Sequence, residues 1–280
     1  MKKMGNIIGL FLVLVSMSLT ALAGGHVGAT KDKDGKWVSP IKENDKADVI
    51  VVAGATGQVG RLIVSQLVGL SQNVRAVVRN EEKAKTLLPP TTAIFVGDVT
   101  NPDTLKDAIK GADYVISAIG AGGAKKDPVN NPETVDYKGV VNLVDVSKAA
   151  GVKHLILLSS VGVTQPDHFL NKMMHNVLQW KLKGEDYLRQ SSIPYTIIRP
   201  GALSNEPGGK KPIKFVQGDP KGNNGVISRA DVTRVIINAL QDPNAINKTV
   251  EITWDKKWKK NPELNGQIDW AEMWESLEEG

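Results

Sequence analysis

In VVAGATGQVGRLIV, Val51 to Val64, the glycines Gly54, Gly57 and Gly60 stand between an apolar run and a segment with helical spacing. Such a stretch takes the chain from a strand through a tight turn into a helix. Glycine permits the turn, lets the backbone approach a bound pyrophosphate and lets the helix pack close to the strand, while the helix N-terminus faces negative charge. In the commonest dinucleotide fingerprint one residue separates the first two glycines; here there are two, Ala55 and Thr56. The flanks strengthen the motif. DVIVVA precedes it, and Val59, Leu62, Ile63, Leu67 and Leu70 follow with helical periodicity, so it reads as strand, phosphate loop, helix. Thr56 and Gln58 can add donors, and Val59 and Gly60 complete the loop.

The unit then repeats in kind. NVRAVVR (73–79) reads as a strand, EEKAKTLL as a helix, AIFVGD (93–98) as a strand, PDTLKDAIKG (102–111) as a helix and ADYVISAIG as a strand. A Gly/Lys/Pro/Asn loop leads to a helix over 132–150, the strand HLILLSS, a helix over 177–190 and the strand YTIIRPG. Continuously apolar strands alternating with helices predict an α/β fold, a doubly wound parallel sheet covered on both faces, with ligands at the carboxyl ends of its strands. Past Gly201 the alternation lapses. Residues 203–225 are rich in Gly, Pro and Lys and read as a long loop forming a small C-terminal cap on the substrate side. A helix starting near Ser228 and a last strand, TVEITW, follow. A length of 280 residues suits one main domain, over 48–252, with the cap inside it.

The termini differ from this core. Lys2 and Lys3, an apolar core from Ile7 to Val15 and Ala21-Leu22-Ala23 before Gly24 make the three parts of a secretory signal peptide over 1–23, cleaved after Ala23. That predicts a periplasmic or secreted protein. The alternatives are a membrane anchor or a cytoplasmic domain, because Lys31, Lys33 and Lys36 follow the apolar segment closely and prefer the cytoplasmic side. Residues 24–47 read as a linker. In the Trp-rich tail, 253–280, Asp269 and Glu272 start a helix that places Trp270, Met273, Trp274 and Leu277 on one face. This helix either packs on its own domain or docks a protein partner or a membrane surface.

Composition narrows the chemistry. The net charge is +5, but the lysines are scattered and no basic run is interleaved with aromatics, so nucleic-acid binding is not expected. Cysteine is absent, which removes disulfides, thiolate catalysis and Cys-ligated metals, and no metal site is expected.

After the second strand, where an NAD-type site shows an acid, stands Arg79. A guanidinium pairs with the 2′-phosphate of NADP where a carboxylate would repel it, so NADP is the expected cofactor; Glu81 and Glu82 keep NAD possible. Asp98, with Val99, is placed to meet adenine, and Ser117, Ala118, Ile119 and Gly120 to run beside the middle of the cofactor.

GATGQVG, RAVVRN, VGDVTNPDTLKDAIKGADYVISAIG, VKHLILLSSVG, WKLKGEDYLRQSSIPYTIIRPG and ISRADV, in this order, resemble the atypical short-chain dehydrogenase/reductase superfamily. The similar branch is that of NAD(P)-binding proteins related to NmrA-type regulators and plastid relatives. The resemblance covers about Asp48 to Ile252 and implies a Rossmann fold with bound NADP, with Arg199, Pro200 and Gly201 near the nicotinamide.

Active members of the superfamily use Ser, Tyr and a Lys four residues after the Tyr. The lysine steadies the ribose and lowers the tyrosine pKa from its usual ~10 toward neutrality. Ser160, with Ser159 beside it, matches the serine, and Lys181 matches the lysine. Four residues before Lys181 stands Val177; if Lys183 is taken instead, the position is Gln179. His175 has the intrinsic pKa to substitute as proton donor, while His154 and His168 read as solvated residues. Tyr137 and Tyr187 read as packing residues.

Two functions follow. The first is an NADP-dependent oxidoreductase or epimerase acting on a small carbonyl compound, Ser160 holding the carbonyl oxygen, Lys181 the ribose, and His175 or water giving the proton. The second is a non-catalytic NAD(P)-binding sensor or assembly factor. Either is expected as a monomer or homodimer.

Overall fold

The computed structural model describes residues 30–31, 37–38, 48–122, 128–222, 225–255 and 268–280. The signal or anchor reading of 1–23 lies outside the described residues. So does most of the linker, within which β1 (Thr30–Lys31) pairs antiparallel with β2 (Trp37–Val38).

The main domain opens with β3 (Val49–Ala53), α1 (Gly60–Gly69), β4 (Asn73–Val78), α2 (Glu81–Leu87) and β5 (Ala93–Val96). A 3-10 turn (Pro102–Leu105) runs into α3 (Lys106–Ile109), followed by β6 (Tyr114–Ser117). A π-helix (Glu133–Lys138) runs into α4 (Gly139–Ala149), and β7 (His154–Leu158), α5 (Phe169–Met173), α6 (Val177–Gln190) and β8 (Tyr195–Pro200) follow. The remaining elements are β9 (Ala202–Ser204), β10 (Ile213–Val216), β11 (Val226–Ser228), α7 (Arg229–Ala239), β12 (Lys248–Trp254) and α8 (Trp270–Glu275).

Eight strands form one sheet in the order β10-β12-β8-β7-β6-β3-β4-β5. Every pairing is parallel except β10 with β12. The chain enters in the middle at β3, winds outward to β5, returns to β6 and winds the other way. The reversal between β3 and β6 leaves a crevice at the carboxyl ends of the strands, where this class of sheet binds its ligands.

Successive residues of β3 serve opposite faces. Val49, Val51 and Ala53 join the cluster that contains Leu105, Leu143 and Leu188, while Ile50 and Val52 join the one that contains Ile63, Leu67 and Ile236. Both faces are covered by helices, which is why the strands are apolar throughout instead of alternating.

Two expectations change. Residues 203–225 are not one loop: β10 lies among them and extends the main sheet antiparallel to β12, while β9 pairs with β11 in a small parallel sheet of two strands. In β10 Ile213 is buried and Lys214 exposed, a short alternation hidden by the Gly, Pro and Lys around it. His154, read as solvated, is 3% exposed at the start of β7 and bonds Thr196 Oγ through Nε2 at 2.9 Å. Burial lowers its pKa to about 4.

The C-terminal tail packs onto the same domain. Asp269 caps α8 by accepting from the Glu272 N–H, and Trp270, Trp274 and Leu277 join the cluster of Val250 and Ile252. Trp274 is fully buried and donates to Asn238 Oδ1 at 2.6 Å. The apolar face of α8 is thus spent on its own sheet. Among the described residues no helix is long and apolar enough to cross a membrane.

Candidate dinucleotide site

The glycine loop is shaped by steric necessity. Gly54 has φ +78°, and a Cβ there would stand 2.5 Å from the Ala118 carbonyl oxygen, so its bareness lets β3 and β6 close on each other. A Cβ on Gly60 would stand 2.1 Å from the Gly54 carbonyl oxygen, so α1 could not seat on the loop. Gly57 donates its N–H to Gly54 at 2.9 Å and closes the turn between them. The first turn of α1 has neither a capping side chain nor an acidic residue. The Arg61 and Leu62 N–H groups bond the Gly57 and Val59 carbonyls at 3.0 Å each, so what the helix start offers an anion is the positive end of its dipole, with no acidic side chain in the first turn to compete.

Gly54, Thr56 and Gly57 line a groove of about 260 Å³. Gln58 is exposed beside it, while Val59 and Gly60 are buried and serve the loop through packing. The bare loop, the uncapped helix and the crevice beside them fit a dinucleotide diphosphate.

The groove is also walled by Val77, Val78, Arg79, Lys83, Asp98 and Val99. Arg79 extends from the end of β4 and donates to Asn130 Oδ1, across from it on the approach to the π-helix. Glu81 and Glu82, the acids that kept NAD open, pair with Lys85 at 2.9 Å each and do not line the groove. Asp98 accepts the Thr100 N–H at 2.9 Å and the Thr100 hydroxyl at 2.8 Å through one oxygen, which fixes the turn after β5. Sequence reasoning missed Lys83 and Asn130. Lys83 lies in the first turn of α2, just beyond the Asn80 cap, and its position beside Arg79 comes from the way that turn leaves β4. Asn130 is 51 residues away from Arg79 and gave no local signal.

Ala118, Ile119 and Gly120 form the floor, and Ile119 also lines a second, narrow crevice with Asp136, Ser159 and Lys181. The groove therefore leads from Arg79 past the glycine loop to Lys181. The Lys181 ammonium stands 2.7 Å from Asp136 Oδ1, and the lysine side chain is 17% exposed against 1% for the aspartate. Lys183 lies on the outer side of α6 with its ammonium 4.1 Å above the Trp180 ring. Of the two lysines, Lys181 lines the crevice and Lys183 does not.

The expected reaction residues are placed unevenly. The Ser160 hydroxyl donates to the Val161 carbonyl at 3.0 Å, and it is Ser159 that lines the crevice with Lys181. Ser159 in turn donates to the buried Glu185. Val177 is 7% exposed and packs with Val163 and Leu178, so an aliphatic contact occupies the position where a tyrosine is expected. His175 is exposed on the turn before α6, with φ +50°, and lines neither the groove nor the crevice.

Arg199 is buried between Glu185 and Glu251, donating to Glu251 at 2.8 Å and to both oxygens of Glu185. Burial works against its charge, but the two carboxylates outweigh it and raise its pKa. Burial also pushes Glu251 up, against the pull of Arg199. Gly201 is bare because a Cβ would meet the Gly225 carbonyl oxygen at 2.2 Å, and Pro200 is buried in β8. This segment braces β8 against β12 and α6, and neither Pro200 nor Gly201 lines the groove or the crevice. Among the described residues no group of three or more His, Asp or Glu is placed to hold a metal ion.

A family model described as NAD(P)H-binding matches residues 54–243. Sanguinarine reductase of Eschscholzia californica is 34% identical over 249 residues, covering 76% of this chain and 91% of that protein. Protein TIC 62, chloroplastic, of Pisum sativum is 36% identical over 197 residues, covering 63% of this chain and 36% of the relative. A Bacillus halodurans structure named for the NAD-dependent epimerases/dehydratases superposes with a TM-score of 0.67 at 31% identity, covering 82% of this chain and all of the other. The family model spans the glycine loop, the Arg79 wall and the Lys181 crevice alike, and the chain belongs to the NAD(P)H-binding family of Rossmann-fold proteins, an oxidoreductase-like member of its reductase and epimerase group.

Proposed function

We propose that the chain takes NADPH in preference to NADH and reduces a small carbonyl compound with it. One observation carries the nucleotide choice: Arg79 and Lys83 together line the end of the groove beyond β4, while the acids of α2 are held by Lys85. Two cations there match a 2′-phosphate and leave a bare 2′-hydroxyl with less to gain. The glycine loop and the N-terminus of α1 hold the diphosphate, and Lys181 holds the ribose next to the nicotinamide. The bound nucleotide supplies a hydride. Ser160 serves the carbonyl oxygen once its hydroxyl leaves the Val161 carbonyl, a weaker hold than the buried carboxylate of Glu185 has on Ser159, and with His175 facing solvent the proton comes from water.

Titration of the purified chain with NADPH and NADH tests this reading, with Arg79→Ala as the control. NADPH should bind more tightly than NADH, and the substitution should erase the difference. Equal affinity for both nucleotides in the wild type would reject the NADP assignment. A second reading, a non-catalytic nucleotide-binding protein, is favoured by one fact: the Val177 side chain is part of a packed apolar cluster, so the chain lacks the usual acid. NADPH oxidation across a panel of ketones, aldehydes and quinones decides between them.

For residues 1–23 we propose a targeting segment. The chloroplastic name of the pea relative supports an addressed protein, and the three-part pattern of the segment supports cleavage after Ala23. N-terminal sequencing of the mature protein would show Gly24 first; an intact Met1 would reject it.

A further inference from the structure

Asp136 belongs to no part of the expected catalytic set, yet its carboxylate joins two parts of the site. It is 2% exposed. Oδ1 stands 2.7 Å from the Lys181 ammonium on α6, and Oδ2 accepts the Ala121 N–H at 3.1 Å, at the end of the groove floor. A Cβ on Gly120 would stand 3.5 Å from the same carboxylate.

Its seat is rigid. Asp136 lies within the π-helix, a wider turn than the α-helix and one that often re-aims a side chain at a functional position. The π-helix meets α6 almost backbone to backbone, since a Cβ on Gly184 would come within 2.9 Å of the Asp136 carbonyl oxygen. The next residue, Tyr137, stacks on Trp180 of the same helix α6 at 5.9 Å between ring centres. Packing therefore fixes both ends of the Asp136 and Lys181 pair.

We propose that Asp136 is a positioning residue that couples the groove floor to Lys181: one carboxylate sets where the ammonium sits and holds the Gly120–Ala121 backbone against which the middle of the cofactor lies. The proposal rests on the reading of Lys181 as the ribose-holding group. It follows that Asp136 acts on nucleotide affinity through Lys181, and on NADPH and NADH alike, because the pair lines the crevice with Ser159, and neither Arg79 nor Lys83 lines that crevice. Asn at this position can still accept the Ala121 N–H, but it presents no negative charge to Lys181. Asp136→Asn thus removes one arm of the coupling and keeps the other.

The test is a double-mutant cycle on the full chain, with dissociation constants for NADPH and NADH measured for the wild type, Asp136→Asn, Lys181→Met and the double variant. The expected result is that Asp136→Asn weakens both nucleotides by roughly tenfold, and adds nothing when Lys181 is already Met, as residues that act as one unit are not additive. An unchanged constant for Asp136→Asn, or a full loss added on top of Lys181→Met, overturns the proposal. A second measurement does not need the Asp136 variant to fold. In Lys181→Met without nucleotide, amide hydrogen exchange in the peptide carrying Gly120 and Ala121 should accelerate, because the carboxylate that holds Ala121 has lost its partner. Unchanged exchange there overturns the coupling. If instead Lys181→Met leaves nucleotide affinity intact while exchange accelerates, the ribose role of Lys181 fails, and with it the claim that Asp136 acts on affinity.

Discussion

The two ends of the groove are built to different standards. Around the glycine loop the backbone is sterically enforced, since Gly54 and Gly60 leave no room for any side chain; no side chain caps α1, and two cations, Arg79 and Lys83, line the groove. Around Lys181 the lysine is held and aimed, one serine is tied to Glu185, and a valine fills the position of the acid. The difference teaches that binding and proton transfer are separable loads on this fold. Binding geometry is part of how the sheet and α1 pack, whereas proton transfer hangs on single side chains that can change without unfolding anything.

The strongest way to break the comparison is at Gly60. Gly60→Ala puts a methyl group 2.1 Å from the Gly54 carbonyl oxygen, with backbone on both sides and no flexible side chain to yield. The expected cost is about 4 kcal/mol of stability with nucleotide binding lost, read by urea unfolding and NADPH titration. A variant that is stable but fails to bind would show that the loop is shaped for the ligand alone and does not hold the fold.

Acid should separate the halves next. His154, in β7, has its pKa lowered to about 4 by burial. In the unfolded chain it titrates near ~6.5, so between these values the unfolded state takes up a proton that the native state refuses. Stability therefore rises with pH through this window: the contribution is complete above about 6.5 and is lost as pH falls toward 4, on the order of 3 kcal/mol in all. Urea midpoints between pH 4 and 7 check the slope. His154→Asn should flatten it.

Much of this was legible in the sequence, and the split follows distance along the chain. The strand, loop and helix around Gly54, and Arg79 one strand later, are set by residues within one supersecondary unit, where periodicity and glycine sterics speak directly. Asp136, Ser159 and Lys181 come from three separate elements and meet through packing that no local pattern encodes. Ser160 matched by position, but the turn after β7 directs its hydroxyl to the Val161 carbonyl. The edge strand β10 escaped because it has four residues in a segment whose Gly, Pro and Lys read as loop. The tail helix was legible in its cap and apolar face. Where that face packs required the sheet.

A smaller effect sharpens the binding half. Arg79→Ala should weaken NADPH by about 30-fold, close to 2 kcal/mol for a charge-assisted contact, and leave NADH unchanged. Isothermal titration with both nucleotides checks it. Equal losses would mean that Arg79 serves the groove through its contact with Asn130 and does not read the phosphate.

The last prediction addresses the reaction half itself. Val177 and Lys181 are one helical turn apart on the same side of α6, so a tyrosine at 177 would have the register an active site uses. Its ring, however, must enter a cluster already filled by Val163 and Leu178 with Leu170 and Met174 against it. Val177→Tyr should cost about 1–2 kcal/mol from overpacking, and NADPH affinity should stay as it was. If carbonyl reduction rises in that variant, the chain is a reductase lacking only its acid, and the two halves differ by one residue. If the rate stays at that of the wild type, the apolar cluster is the designed state of this position: water must serve any reduction the wild type performs, and a wild type that reduces nothing is a binding protein.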